Sequence, residues 1–382
     1  MSGQLRQWMD SLRGLAVLLV LMGHTAGLPV LYLGREDMQW IVNITGALEP
    51  YRLPLLFILS GLLVPRSVRK PLGTFWWGKV RHIAWPYLVW MLVLWQTPGM
   101  EVLLVEWRFW VGDWGNYLWY LVVLFSCYLA APLVSRLRIP WWAAALLCWL
   151  GLFVGQPEIE LLQRHLWWGG FFFLGAGLAE VVPTWQRVDW RAPLCFAVAA
   201  AAWGVVVAVS EVPAAQTVPS ALASVVGVLV LLWLAPRLEG WSVMTLLASV
   251  GRRSIVVYVA HYPAAYVLMI SVNSMELGAL ATFVVLTALT LVCVGMLMLI
   301  QPLAPFLFEL PAVRRAGAEP AVADSTSPVP GEPAPFARPE PDASGASSAT
   351  DDGGGPTGSS ELRSSAAGSY VNPTASTRSP RR

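Results

Sequence analysis

Long runs of apolar residues dominate this chain, and the polar positions between them are clustered tightly enough to read as loops. A helix needs about 20 predominantly apolar residues to cross the hydrocarbon core of a bilayer. Ten segments approach that length: 12–33, 41–65, 82–99, 115–134, 140–155, 166–182, 193–210, 219–235, 254–272 and 278–308. The pattern therefore predicts an all-α, polytopic integral membrane bundle of about ten transmembrane helices spanning residues 1–310. The second segment contains Glu49 and Arg52, and the tenth is long enough to break at Pro302 and Pro305. From about Gly317 the composition turns to Pro, Ala, Ser, Gly and Asp, with Phe336 and Tyr370 the only aromatic residues. Such a segment buries too little apolar surface to fold, which predicts a disordered Pro/Ser/Gly/Ala-rich tail over 311–382.

Loop charge sets the orientation, because cytoplasmic loops collect Lys and Arg. With the N-terminus inside, alternate loops carry Arg66, Arg69, Lys70, Lys79 and Arg81, then Arg136 and Arg138, then Arg187 and Arg191, then Arg237, Arg252 and Arg253. Arg314 and Arg315 follow the last segment, and the outer loops hold only Arg35, Arg108 and Arg164. The asymmetry predicts an N-in/C-in, multi-pass protein of the cell membrane with a cytoplasmic tail. The first apolar stretch is long, lacks a small-residue cleavage site and contains Arg13 and His24, so it reads as a retained helix rather than a cleaved signal.

Composition agrees: 56% of the 382 residues are hydrophobic and 13% are charged, which excludes an ordinary soluble globule. A net charge of +2, dispersed along the chain, argues against nucleic-acid binding. Cys127, Cys148, Cys195 and Cys293 lie singly in apolar stretches and read as small core residues, with no metal-ligand spacing.

Against this background the ionisable residues at membrane depth stand out, since they are costly there and mark function by default. Arg13 and His24 are eleven residues apart. On an α-helix that spacing leaves them within about 20° of one face and about 16 Å apart along the axis. Arg81 and His82 open the third segment beside the Arg66 to Lys70 cluster and form a basic rim, a consequence of topology or a seat for a phosphorylated ligand. Ser60-Gly61 closes the second segment, where a small pair suits helix packing. Ser254, Tyr258 and His261 share a face by i, i+4 and i+7 spacing. His261 suits either a structural hydrogen bond or chemistry. His165, with Glu158 and Glu160, reads as a solvated outer-loop histidine.

Taken together these residues resemble the membrane-bound acyltransferase 3 family, whose best-known members O-acetylate bacterial surface sugars. The likeness covers most of residues 7–308 and rests first on Asp10-Ser-Leu-Arg13-Gly-Leu followed by His24, similar to the family's signature of Arg, ten residues, His. Leu53-Pro-Leu-Leu-Phe-Ile-Leu-Ser60-Gly61, Arg81 with Pro86-Tyr87, Trp119-Tyr120, Phe172-Phe-Leu-Gly175, and Gly251 with Ser254, Tyr258 and His261 add to it in order and spacing. One departure is Leu56-Phe57 where the family usually has paired Phe. The resemblance implies an O-acyltransferase moving an acyl group, expected to be acetyl, from cytoplasmic acetyl-CoA or another acyl-CoA to a hydroxyl of an extracytoplasmic or lipid-linked glycan. It implies no permanently bound cofactor. His24 and Arg13 would be catalytic, with His24 a general base or an acyl-accepting nucleophile. Arg13, Arg81, His82, Ser60, Tyr258 and His261 would hold the donor. Partners would be acyl-CoA, the glycan or lipid-linked acceptor and the bilayer, with no nucleic acid. The alternative class is a transporter of lipid-linked sugars or anions, against which stands the absence of an inverted internal repeat.

Overall fold

Every regular element in the computed structural model is helical among the described residues, which are 4–95, 110–111, 116–210 and 216–311. Helix α1 (Gln4–Leu33) runs for 30 residues and carries both Arg13 and His24. The second apolar segment is broken into α2 (Gln39–Gly46) and α3 (Glu49–Gly61), followed by the single turn α4 (Val64–Ser67). Pro50 in the first turn of α3 sets its start, where a missing N–H costs nothing. Helix α5 (Leu72–Lys79) passes through a π-helical turn (Val80–Ala84) into α6 (Trp85–Trp95).

The chain continues as α7 (Trp119–Arg136), α8 (Trp141–Phe153), α9 (Glu160–Leu178) and the short α10 (Val182–Trp185). It ends in α11 (Arg191–Ser210), α12 (Val218–Leu234), α13 (Ser242–Arg252), α14 (Ser254–Asn273) and α15 (Ala279–Ile300). Thr217 caps α12, its side chain accepting from Ser220 N at 3.4 Å. Pro29, Pro54, Pro132 and Pro263 lie inside helices, as membrane helices tolerate when neighbours satisfy the freed carbonyls.

Six described helices, α1, α7, α11, α12, α14 and α15, are long and apolar enough to cross a membrane. The pair 36–46 and 49–67, bent by 46°, makes a seventh if it is one span. Three further expected segments correspond to shorter or more polar helices. Helix α6 is described only to Trp95, α8 has 13 residues, and α9 begins with Glu160, Arg164 and His165. The tenth segment does break: α15 ends at Ile300, one residue before Gln301-Pro302, and a 3-10 turn follows at Pro305–Leu307. The tail from 312, with Arg314, Arg315, Phe336 and Tyr370, lies outside the described residues, as does Arg108.

The bundle is centred on α1 and on aromatic rings. Phe57, Phe171 and Phe172 are fully buried. The amphipathic helix α13, which the apolar pattern alone does not reveal, packs so closely on α1 that no side chain fits at Gly14 or Gly251. A Cβ at Gly14 would lie 2.0 Å from the Leu247 carbonyl oxygen, and one at Gly251 would lie 1.7 Å from that of Asp10. Ser11 Oγ donates across the same crossing to Met244 O at 2.8 Å. Exposed Val205, Val209 and Leu299 give α11 and α15 an apolar outer surface suited to lipid. Two expectations change here. Only Cys127 is buried, and Cys195 is exposed on α11, so the cysteines are not uniformly core residues. His165 is not a solvated loop residue: it is helical, its Nδ1 lies 2.7 Å from Leu161 O and its Nε2 3.3 Å from Ser126 Oγ.

Candidate functional site

Two regions along α1 gather the chemistry, one around Arg13 and one around His24. Near the start of the helix, Arg13 Nη1 lies 3.1 Å from Asp10 Oδ1, a single turn away. Its guanidinium faces a cavity of about 160 Å³ lined also by Ser60, His82, Tyr120, Ser254 and Tyr258. A wider recess of about 570 Å³ adjoins it, sharing Arg13 and Ser254 and adding Asp10, Gly251 and Arg252. Four of the six sequence-predicted donor residues, Arg13, Ser60, His82 and Tyr258, therefore meet around one space. They come from α1, α3, the π turn and α14.

The π turn explains how Arg81 and His82 are presented. Widening the helix by one residue per turn re-aims consecutive side chains, and such bulges recur at functional sites. Arg81 pairs with Glu309, and His82 Nδ1 lies 3.7 Å from the same carboxylate. The Leu310 N–H donates to Arg81 O at 3.2 Å, so the segment after α15 is fastened to the turn. Arg81 does not line the cavity; its guanidinium is engaged by Glu309 instead.

Lys79, which no motif marked, sits beside this rim with Nζ 3.5 Å from the centroid of the Tyr128 ring. Burial, then the nearby Lys70 and Arg13 charges, push its ammonium down to about 8. Tyr128 in turn donates to Ser60 O at 3.4 Å.

Further along α1, His24 and His261 bring their rings to 5.2 Å centroid to centroid, and the Tyr262 ring meets His24 at 5.3 Å between centroids and 79° between planes. His261 Nδ1 is 3.0 Å from Val257 O; a carbonyl only accepts, so Nδ1 carries a hydrogen. The Nε2 of His261 is buried without a hydrogen-bond partner among the described residues. Tyr258 Oη donates to Tyr117 O at 2.6 Å, and Tyr117 Oη donates to Val259 O at 2.8 Å. This reciprocal tie anchors α14 to the turn before α7. Tyr258 thus lines the cavity with its ring while its hydroxyl proton is used structurally. Its ring lies 5.9 Å from that of His261, which joins the two regions of the site.

The residue that sequence reasoning passed over is Arg52. Gly23 lets the guanidinium lie directly against α1, one residue from His24: a Cβ there would be 2.0 Å from Nη1. Among the described residues its one ion-pair partner is Glu49, at 3.8 Å. Two opposite charges three residues apart inside an apolar segment are the signal that could have singled it out.

The acyltransferase 3 model, described as an acyltransferase domain, matches residues 6–299. The chain belongs to the acyltransferase 3 family. No curated protein and no solved structure matches it. The family match runs from before Arg13 to residue 299 in α15, and so takes in every residue lining the two spaces at Arg13 together with His24, Arg52 and His261, whereas Glu309 and Leu310 lie beyond it. As a member of the acyltransferase 3 family the chain is a membrane acyltransferase.

Proposed function

We propose that this acyltransferase moves an acyl group, expected to be acetyl, from cytoplasmic acyl-CoA to a hydroxyl of an extracytoplasmic or lipid-linked glycan. The observation that supports it is the arrangement along α1: a cationic cavity at Arg13 and, about 16 Å further along the helix, His24 paired with His261 and flanked by Arg52. The bundle would cross the cell membrane ten times with both ends inside and the tail cytoplasmic, which puts Arg13 on the side of the CoA pool. Arg13, Arg252 and Lys79 would attract the nucleotide phosphates, and the pantetheine arm would run past Ser60 and Tyr258 towards His24.

There His24 takes the proton of the acceptor hydroxyl as its oxygen attacks the thioester carbonyl. The tetrahedral intermediate collapses with cleavage of the C–S bond, and the imidazolium returns the proton to the departing thiolate, giving the ester and free CoA. Arg52 is placed to offer N–H donors to the oxyanion, a kind of stabilisation whose removal costs about 10²–10³ in rate in known enzymes. His261, its Nδ1–H held by Val257, keeps a fixed imidazole against His24.

The test is transfer of label from radiolabelled acetyl-CoA into glycan and lipid fractions of membranes carrying the protein. His24→Ala should abolish transfer while the protein still inserts; full activity in that variant removes the assignment. Transfer without any ion gradient also separates the enzyme from a transporter.

A further inference from the structure

A groove of about 600 Å³ lies between α1, the joint of α2 with α3, α11 and α12. Its wall on α1 is Leu15 and Leu19, which stand more than about 100° around the helix from Arg13 and His24, so it is turned away from the reaction site. On α11 the wall is Ala201, Gly204, Val205 and Ala208, whose short side chains leave the gap unfilled. Tyr51 closes the space against α12, its ring set so tightly on Gly227 that a Cβ there would lie 2.3 Å from it. Every lining side chain is apolar except for the Tyr51 hydroxyl, which already donates to Ala200 O. Nothing is left over to bind a polar ligand. Apolar cavities do not hold water, and an empty one forfeits the dispersion contacts of its walls.

The groove opens towards lipid, because Val205 both lines it and is 61% exposed on the outer surface of α11. Ala197 and Ala208, both on its wall, are eleven residues apart. That spacing spans about 16 Å of helix, close to half of the ~30 Å hydrocarbon core, which is the depth of one leaflet. An apolar channel one leaflet long and continuous with the lipid-facing surface matches a single hydrocarbon chain. We infer that this groove seats one acyl chain of a membrane phospholipid, lying along α11 against Leu19 and Tyr51. Tyr51 directly precedes Arg52, so the chain backs the turn of α3 that rests on Gly23. The binding does not depend on the acyl-transfer reading.

The test is photocrosslinking of the full protein in phosphatidylcholine liposomes that contain a phosphatidylethanolamine with a diazirine midway along one chain. Adducts are mapped by peptide mass spectrometry. Those at Leu19 and Tyr51 should saturate as the probe fraction rises, whereas those at Leu299, exposed on α15, should rise in proportion. Ala201→Phe and Ala208→Phe, which fill the groove, should each lower the Leu19 and Tyr51 adducts at least fivefold and leave the Leu299 adducts unchanged. Where a filled variant fails size exclusion, the saturation behaviour of the parent protein decides. Excess unlabelled polyprenyl phosphate should leave the groove adducts in place; their loss would give the groove to an isoprenoid tail instead. Absent adducts together with a dimer on size exclusion would give it to a second copy of the chain. Either result, or adducts at Leu19 and Tyr51 that are missing or only proportional to probe, overturns the inference.

Discussion

A methyl group added at Gly23 separates Arg52 from His24 while leaving both residues in the chain. The new Cβ would sit 2.0 Å from Arg52 Nη1, against an ordinary contact of at least 3.4 Å, so the guanidinium must withdraw by about 1.4 Å. The atom in the way is the far end of a flexible side chain, so the backbone of α1 need not move. Replacing a mid-helix glycine with alanine gains about 1 kcal/mol of helix propensity, which offsets the cost of re-siting the side chain. Stability should therefore stay within about 1 kcal/mol of the parent. Activity should not. A misplacement of about 1 Å in a catalytic constellation can cost about 10²-fold, and loss of one oxyanion donor costs a similar factor. The expected result for Gly23→Ala is a fall in kcat of about 10²-fold with little change in donor KM, read from labelled acetyl transfer in proteoliposomes beside a thermal unfolding curve. A normally folded variant whose kcat is within about threefold of the parent would show that the position of Arg52 beside His24 has no part in the reaction.

Other consequences follow from the basic rim and the helix crossing. Lys79, held at about 8, should lose its charge as pH rises from 7 to 9 and weaken donor binding, so donor KM should climb across that range; Lys79→Arg should flatten the profile, and an unchanged slope in that variant would assign the effect elsewhere. The sign for stability is opposite: between about 8 and the ordinary 10.5 the unfolded chain binds more protons, so the Lys79 contribution to folding improves as pH rises through that window. Glu309→Gln should release Arg81 and His82, and because such partly exposed pairs are worth about 1 kcal/mol or less, donor KM should fall by up to about fivefold; a rise would make Glu309 a strut for the π turn instead. Gly251→Val should force the α1 and α13 backbones apart at a cost of about 3 kcal/mol or more, seen as loss of folded protein by fluorescence size exclusion, and normal yield would mean the crossing is looser than described. Rapid acid quenching of the enzyme with labelled acetyl-CoA distinguishes a general base from an acyl-histidine, since only the second leaves label on the protein.

Much of the fold was legible because its signals are local. A continuous apolar run specifies a membrane helix from its own residues, and helical periodicity alone places Arg13 and His24 on one face of α1 and Ser254, Tyr258 and His261 on one face of α14. Loop charge suggested a direction for the same reason. The shorter elements were less legible: α13 is an amphipathic helix whose apolar stripe matters only once α1 is present to cover it, and the second segment bends between α2 and α3.

What tertiary structure decided is which residues meet. The contact of Arg52 with Gly23 depends on how α3 crosses α1, and the meeting of the His24 and His261 rings depends on how α14 packs against α1. The engagement of Arg81 by Glu309 joins positions more than 200 residues apart. The apolar groove draws on α1, α2, α3, α11 and α12. Helix formation is encoded within a few turns of chain, whereas ridge-into-groove packing sets these distances from many side chains at once. The axis of the site could be read from one helix, and its occupants could be argued only from the helices packed around it.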